Sequence, residues 1–254
     1  MRLQLKKYGA VFFVLMSIIG MPRHVWAQGD AATAHVFLAQ AQKAYQEAAY
    51  LGFRVKYLYT NAGTGMKPMD SLSGEMQMDK GRCRMVIDGT ETVVTGRYMI
   101  QVMENDKAMY LSSAVKAIPM NPTQLLDTLL RQMKDVKATL TTEEGVKVLT
   151  LRFPPGGTYT SIRMAMDPVT GYFRQITYSV RTAGFVSQDQ INSPTHAGSY
   201  EQEGQVEMIF RDYVKGRFGD ALFDESNFFT HAAGKYEPAG RFRDYHIFLA
   251  SSNL

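Results

Sequence analysis

The stretch Tyr98-Met-Ile-Gln-Val-Met-Glu-Asn-Asp-Lys-Ala-Met-Tyr-Leu-Ser112 consists of two short segments of alternating side chains joined by a polar turn. Tyr98, Ile100 and Val102 recur with the period of two that is typical of a half-buried strand. The turn residues between Glu104 and Lys107 can bring the two segments side by side. The stretch therefore predicts an antiparallel hairpin.

The same alternation recurs along most of the chain, at intervals of roughly ten residues and between turns rich in Gly, Asp and Asn. Asp167-Pro-Val-Thr-Gly171 predicts one such hairpin turn, and Glu143-Glu144-Gly145 predicts a solvated hairpin tip rather than a catalytic pair of carboxylates. Regularly spaced short strands indicate an antiparallel sheet, barrel or sandwich. The predicted strands lie within 53–59, 72–79, 82–88, 97–104, 108–112, 136–142, 146–153, 161–167, 172–181, 205–214 and 246–250.

Two segments have helical periodicity instead. Apolar residues recur every three to four positions over Ala34–Ala48, and Gly52 is expected to end this helix. A second helix is expected after Asn121-Pro122, an N-cap followed by a favourable first residue, with a leucine-rich stripe over 125–133. The chain thus predicts helices interrupting a meander of strands.

Residues 1–27 have the pattern of a cleavable secretion signal. Arg2, Lys6 and Lys7 precede the apolar run Tyr8–Ile19, and Val25-Trp26-Ala27 follows with small residues at the positions that a signal peptidase reads. That run is shorter than the roughly 20 residues that span a bilayer. We therefore expect cleavage after Ala27, a periplasmic protein without a transmembrane anchor, and a single domain over 28–254.

Charge and cysteine content narrow the possible partners. The predicted signal holds four of the 28 lysines and arginines and none of the 24 acidic residues, which leaves 24 of each. A net charge of zero gives no reason to expect nucleic-acid binding. Cys83 is the one cysteine, so no internal disulfide can form, and we expect it to be a small buried residue.

Motifs of known catalytic chemistry are missing. The sequence contains no G-x-S-x-G elbow, no phosphate-binding glycine loop and no H-E-x-x-H segment. Its histidines are scattered, without the spacing of metal ligands. We expect no catalytic residues, no metal, no cofactor and no enzymatic activity.

Methionine is unusually frequent, with 16 in the chain and 13 after the predicted signal. Met76 shares a strand phase with Met78, and Met164 shares one with Met166. Three interpretations stay open: ordinary core packing, a deformable apolar cavity for flexible guests such as acyl chains, and thioether binding of copper.

The order of elements resembles the periplasmic lipoprotein-carrier superfamily, which includes LolA-like and LolB-like proteins. The resemblance lies in the helix-to-strand passage Ala34–Tyr59, the strand Gly74-Glu-Met-Gln-Met78 and the hairpin Tyr98–Ser112. The chain is also similar to uncharacterised exported proteins of the Bacteroidota type. The resemblance implies a mainly β (α+β) fold, an antiparallel half-open barrel-like sheet with two or three helices packed on its concave face.

The function expected from this resemblance is non-enzymatic binding of an apolar guest, a lipid or the acyl chains of a lipoprotein, in the concave face of the sheet. The alternative is a periplasmic scaffold with a filled core, which docks an envelope protein through edge strands or through the loop 184–204. The expected cavity-lining residues are Phe53, Val55, Tyr57, Met76, Met78, Met85, Leu126, Leu130, Met164 and Met166.

Overall fold

A computed structural model describes residues 28–62, 68–114, 135–184 and 201–251. These residues form one α-helix, four short 3₁₀ turns and fourteen strands, so the predicted mainly β fold is confirmed. The helix, α1, spans Gln28–Glu47. The strands are β1 Tyr50–Asn61, β2 Asp70–Asp79, β3 Arg82–Ile87, β4 Thr90–Val94, β5 Tyr98–Met103, β6 Ala108–Ser113, β7 Lys137–Glu143, β8 Val146–Arg152, β9 Tyr159–Met166, β10 Phe173–Arg181, β11 Glu203–Lys215, β12 Phe229–Ala232, β13 Lys235–Pro238 and β14 His246–Leu249.

Twelve strands form one sheet in the order β14-β6-β5-β4-β3-β2-β1-β11-β10-β9-β8-β7. The order has two ends, β14 and β7, so the sheet of the described residues is open and does not close into a barrel. The strands from β2 to β6 and from β7 to β10 pair with their neighbours in antiparallel fashion. The sheet is mixed because β14 pairs with β6 in parallel.

Two-residue turns account for the tight hairpins. Lys80-Gly81, Asp88-Gly89 and Glu144-Gly145 all have positive φ at both positions. This geometry matches the right-handed twist of the flanking strands, and glycine adopts it without a steric cost. Glu144 is therefore at a hairpin tip, as the sequence predicts.

Contacts along the chain define two compact units. Unit 1 contains residues 28–44, 56–71 and 122–209, and unit 2 contains residues 45–55, 72–121 and 210–251, counting the described residues of each range. No result tests the predicted single domain, and it stays a prediction.

The core of unit 1 lies between α1 and the sheet. Phe37 and Ala41 of α1 are buried, and the Phe37 ring lies 6.4 Å from the Phe173 ring on β10. Farther along the helix, Gln40 accepts a hydrogen bond of 3.0 Å from Lys147 of β8. The apolar stripe of the helix therefore covers one end of β8, β9 and β10.

The core of unit 2 lies between strands β4 to β6 and the C-terminal segment. Ile100 and Val102 of β5 pack with aromatic side chains of the segment, such as Phe229, whose ring lies 5.1 Å from that of Tyr98. The Phe228 and Phe242 rings stack at 5.4 Å. The phenylalanine-rich tail thus covers one face of these strands.

Several elements differ from those predicted. The prediction missed β4, because Glu91 and Thr92 are both buried there and break the expected alternation. It also missed β12 and β13, which form a separate two-stranded sheet. Gly52 does not end the helix: α1 ends at Glu47, and Gly52 lies within β1, where a Cβ atom would approach the Phe218 ring to 2.9 Å.

Three predictions fall on residues outside the described ranges. They are the signal over 1–27, the leucine-rich helix over 125–133 and most of the loop 184–204.

Candidate functional site

A row of methionines covers one face of strands β2, β3 and β5 in unit 2. Met76 lies directly opposite Met85, and Met78 lies opposite Cys83. Residues that face each other across antiparallel strands share a face of the sheet. Met85 lies opposite Thr92 of β4, which in turn lies opposite Gln101 of β5. Met99 and Met103 are two residues from Gln101 along β5 and therefore share this face. We call this set the methionine face: Met76, Met78, Met85, Met99 and Met103.

The methionine face lies opposite the aromatic core of unit 2, because Met99 and Met103 alternate along β5 with the core residues Ile100 and Val102. Met76 is buried, and the other four methionines are half-buried. Unbranched thioether side chains of this kind adapt to irregular apolar partners. The face can therefore accommodate a flexible hydrocarbon.

Cys83 lies within the methionine face and is buried, which confirms the expectation for this residue. Burial raises the pKa of its thiol to about 12, so the thiolate is scarce at neutral pH. Cys83 is suited to packing and not to nucleophilic chemistry.

Phe53 and Val55 of β1 are buried in unit 2. The Phe53 ring lies 5.8 Å from the Phe210 ring and 5.2 Å from the Tyr213 ring, and Tyr45, near the end of α1, contacts it edge-on. These two predicted residues are therefore packed against aromatic side chains of the protein itself.

Tyr57 lies in unit 1, where it forms part of a second surface. Tyr178 of β10 lies opposite Ile162 of β9 and Val206 of β11, which gives this face of the sheet an apolar row. The Tyr178 ring lies 6.0 Å from the Tyr159 ring. Tyr57 of β1 lies close enough to Tyr178 to contribute to its raised pKa. We call Tyr57, Tyr159 and Tyr178 the tyrosine cluster.

The tyrosine cluster is deep in the protein and still accessible. Burial raises the pKa of the Tyr57 hydroxyl to about 12, and burial, followed by Tyr159 and Tyr57, raises the pKa of Tyr178. Tyr159 is 6% exposed, whereas Tyr57 and Tyr178 are half-buried. The cluster is therefore largely covered by protein, and two of its members keep part of their surface accessible.

Met164 and Met166 are in unit 1 and have no exposed surface. Met166 lies opposite Phe173, the residue whose ring meets Phe37 of α1, and Met164 lies opposite Leu149 and Ile176. Access of a guest to these methionines would require α1 to move.

The predicted lining residues therefore fall into three groups. Met76, Met78 and Met85 share the methionine face, and Tyr57 belongs to the tyrosine cluster. The third group is buried within the two units: Phe53 and Val55 in unit 2, Met164 and Met166 in unit 1. Leu126 and Leu130 lie outside the described residues. The lining role of the set stays a prediction.

Sequence reasoning missed Met99, Met103, Tyr159 and Tyr178. The first two have a signal, since they alternate with Tyr98, Ile100 and Val102 in a segment that was assigned to a strand. Tyr178 has the same phase as Ile176 and Val180 in β10. Tyr159 had no signal, because β9 begins two residues before the predicted strand.

Charged side chains form ion pairs on the face of unit 2 opposite the methionine face. Glu91, 6% exposed, accepts a hydrogen bond of 2.6 Å from Nε of Arg84 and another from Arg241 of the C-terminal segment. Asp79, 2% exposed, accepts a hydrogen bond of 2.5 Å from Arg82.

Within the described ranges, no three His, Cys, Asp or Glu residues cluster in a way that could hold a metal ion. None of the helices in the described part of the chain has the length and apolar character to cross a membrane.

No protein-family model matches the chain, and no curated protein matches it. Its structure is similar to that of an uncharacterized conserved protein from Thermus thermophilus, with 9% identity, a TM-score of 0.48, and coverage of 85% of this chain and 99% of that one. A LolA superfamily protein from Nitrosomonas europaea has 12% identity and a TM-score of 0.33, over 76% of this chain and 97% of that one. The lipoprotein LppX from Mycobacterium tuberculosis has 11% identity and a TM-score of 0.34, over 72% of this chain and 98% of that one. The structural neighbours of this chain thus include a LolA superfamily protein, as the sequence resemblance predicted, and at these identities they assign it no ligand.

Proposed function

We propose that the protein is a non-enzymatic, exported binding protein for an apolar guest, either a lipid or the acyl chains of a lipoprotein. The observation that supports this most directly is the tyrosine cluster of unit 1, in which Tyr159 is buried while Tyr57 and Tyr178 keep part of their surface accessible. Half-buried Val206 and Met208 continue the apolar rows beside it. Ligand sites are typically apolar with a few polar groups, and the tyrosine cluster with its apolar neighbours has that chemical character.

The methionine face of unit 2 supports the proposal independently. Four half-buried methionines on one face leave apolar surface that ordinary core packing would cover. Burial of an acyl chain against such a surface contributes about 0.8 kcal/mol per methylene group. A modest length of chain is therefore enough for useful affinity.

Binding can be tested with diphenylhexatriene, a hydrocarbon whose fluorescence rises in apolar surroundings. Met208→Asp places a charge beside the tyrosine cluster, and we expect it to weaken probe binding at least about tenfold, since an unpaired carboxylate is costly to bury. Val214→Asp is the matched control: Val214 lies on the same strand and is 57% exposed, so binding should not change.

Circular dichroism and thermal unfolding of both variants check that they fold. A wild-type protein that gives no fluorescence rise contradicts the proposal, as does a folded Met208→Asp variant that binds like the Val214→Asp control.

A second candidate, docking of an envelope protein, is favoured by one end of the sheet. β14 is at the end of the strand order, and its Phe248 and Leu249 are 48% and 53% exposed. The Phe248 ring stacks on that of Tyr110, which is itself 37% exposed, at 5.2 Å. An exposed apolar edge strand can accept a further strand from a partner. Failure of the wild-type protein to bind the hydrocarbon probe would favour this candidate.

A further inference from the structure

The hydroxyl groups of the tyrosine cluster have no hydrogen-bond partner among the described residues. Other tyrosine hydroxyls have partners: those of Tyr45 and Tyr213 lie 2.7 Å apart, and that of Tyr59 lies 3.5 Å from the hydroxyl of Thr182. Over the described ranges, no buried side-chain nitrogen or oxygen is left without a partner. The hydroxyls of the cluster are therefore open to accessible space, where a ligand can reach them.

The three side chains also lie near one another. The Tyr159 and Tyr178 rings are 6.0 Å apart, and Tyr57 is close enough to Tyr178 to raise its pKa. Because burial raises the pKa of all three side chains, each hydroxyl keeps its proton at physiological pH and can donate it in a hydrogen bond. The cluster thus presents several neutral donors in a setting that is otherwise apolar.

Charged residues are missing from the described strand positions that share a face with Tyr178. Its partners are Ile162 on β9 and Val206 on β11, and the next position of β10 on this face, Val180, lies opposite Tyr159 and Gly204. A carboxylate ligand would lose its hydration without gaining a counter-charge. A neutral acceptor such as a carbonyl oxygen loses less hydration free energy than a carboxylate and gains the same hydrogen bonds.

We propose that the tyrosine cluster binds the neutral carbonyl group that links an acyl chain to the rest of the guest, an ester or an amide. The inference rests on the proposed function and narrows it: the guest is an esterified or amide-linked acyl chain and not a free fatty acid. The apolar rows beside the cluster hold the hydrocarbon, and the hydroxyls fix the position of its carbonyl.

The test compares two guests that differ only in this group. An ester-linked dioleoyl glycerol and its ether-linked dialkyl analogue compete with diphenylhexatriene for the full chain after signal removal. We expect the wild-type protein to bind the ester about tenfold more tightly, the size of effect expected when one or two hydrogen bonds form in an apolar site. Tyr57→Phe/Tyr178→Phe should remove this preference and leave the affinity for the ether unchanged, which also shows that the variant folds.

Tyr245→Phe is the matched control, since it removes a hydroxyl from a tyrosine that packs against the core of unit 2, and it should keep the ester preference. An N-palmitoyl peptide, which offers an amide carbonyl, is a third guest in the same competition experiment. The guest whose affinity falls about tenfold in the double variant identifies the source of the carbonyl. Equal binding of ester and ether by the wild-type protein, or a preference that survives in the double variant, overturns the inference. Failure of the hydrocarbon probe to bind at all would instead overturn the proposed function.

Discussion

Asp167 shows how a single side chain determines a turn that the sequence predicts. Its carboxylate accepts hydrogen bonds from the backbone amides of Val169 at 2.9 Å and Thr170 at 3.0 Å, and from Arg174 at 2.5 Å. Gly171 completes the turn with a positive φ of 73°. An Asp-Pro-x-x-Gly pattern is readable because these contacts are local, within seven residues of the chain.

The Thr170 amide, the Arg174 side chain and the Val169 amide together lower the pKa of Asp167 from 3.8 to about 2. A lowered folded-state pKa stabilises the protein above the unfolded value, and the contribution is lost as the pH falls from 3.8 through 2. Asp167→Asn should therefore lower the free energy of unfolding at neutral pH by about 1 kcal/mol after allowance for solvent screening.

Urea unfolding at neutral pH and near pH 2 measures this difference, with Asp106→Asn at an exposed turn position as the control. The wild-type protein and Asp167→Asn should converge in acid. A gap of the same size at both pH values would contradict the assignment.

Strand β4 illustrates what local sequence does not reveal. Its Glu91 occupies a core position because Arg84 of β3 and Arg241 of the distant C-terminal segment neutralise it. The second partner is 150 residues away, so no local pattern indicates that a glutamate belongs inside. A strand with clean alternation, such as β5, is predictable because its apolar phase is uninterrupted.

Removing the charge of Glu91 should be costly. Glu91→Gln leaves Arg84, 16% exposed, without its buried partner, and we expect the free energy of unfolding to fall by about 3 kcal/mol. Asp244→Asn is the control: its ion pair with Lys107 is exposed on both sides, so we expect a much smaller loss of stability than for Glu91→Gln. Denaturant unfolding of the two variants under one condition makes the comparison, and equal losses would show that burial does not decide the strength of these pairs.

At the scale of the whole molecule, the sequence predicts the class of fold and part of the candidate site. Met76 and Met78 share a strand phase that is visible in the sequence, Met85 alternates with Cys83 in the next predicted strand, and the structure places all three methionines on one face. The tyrosine cluster is different: Tyr57, Tyr159 and Tyr178 come from three separate strands, and their meeting depends on strand order and register. Long-range pairing of this kind is fixed by tertiary packing, which leaves no trace in local periodicity.

The measurement that tests the central claim most directly is native mass spectrometry of residues 28–254, purified from a bacterial periplasm without detergent, followed by solvent extraction and lipid analysis. The proposed function predicts a bound species in the mass range of phospholipids or acylated peptides, which solvent extraction releases. A mass equal to that of the chain alone, together with no uptake of a hydrocarbon probe, would contradict it.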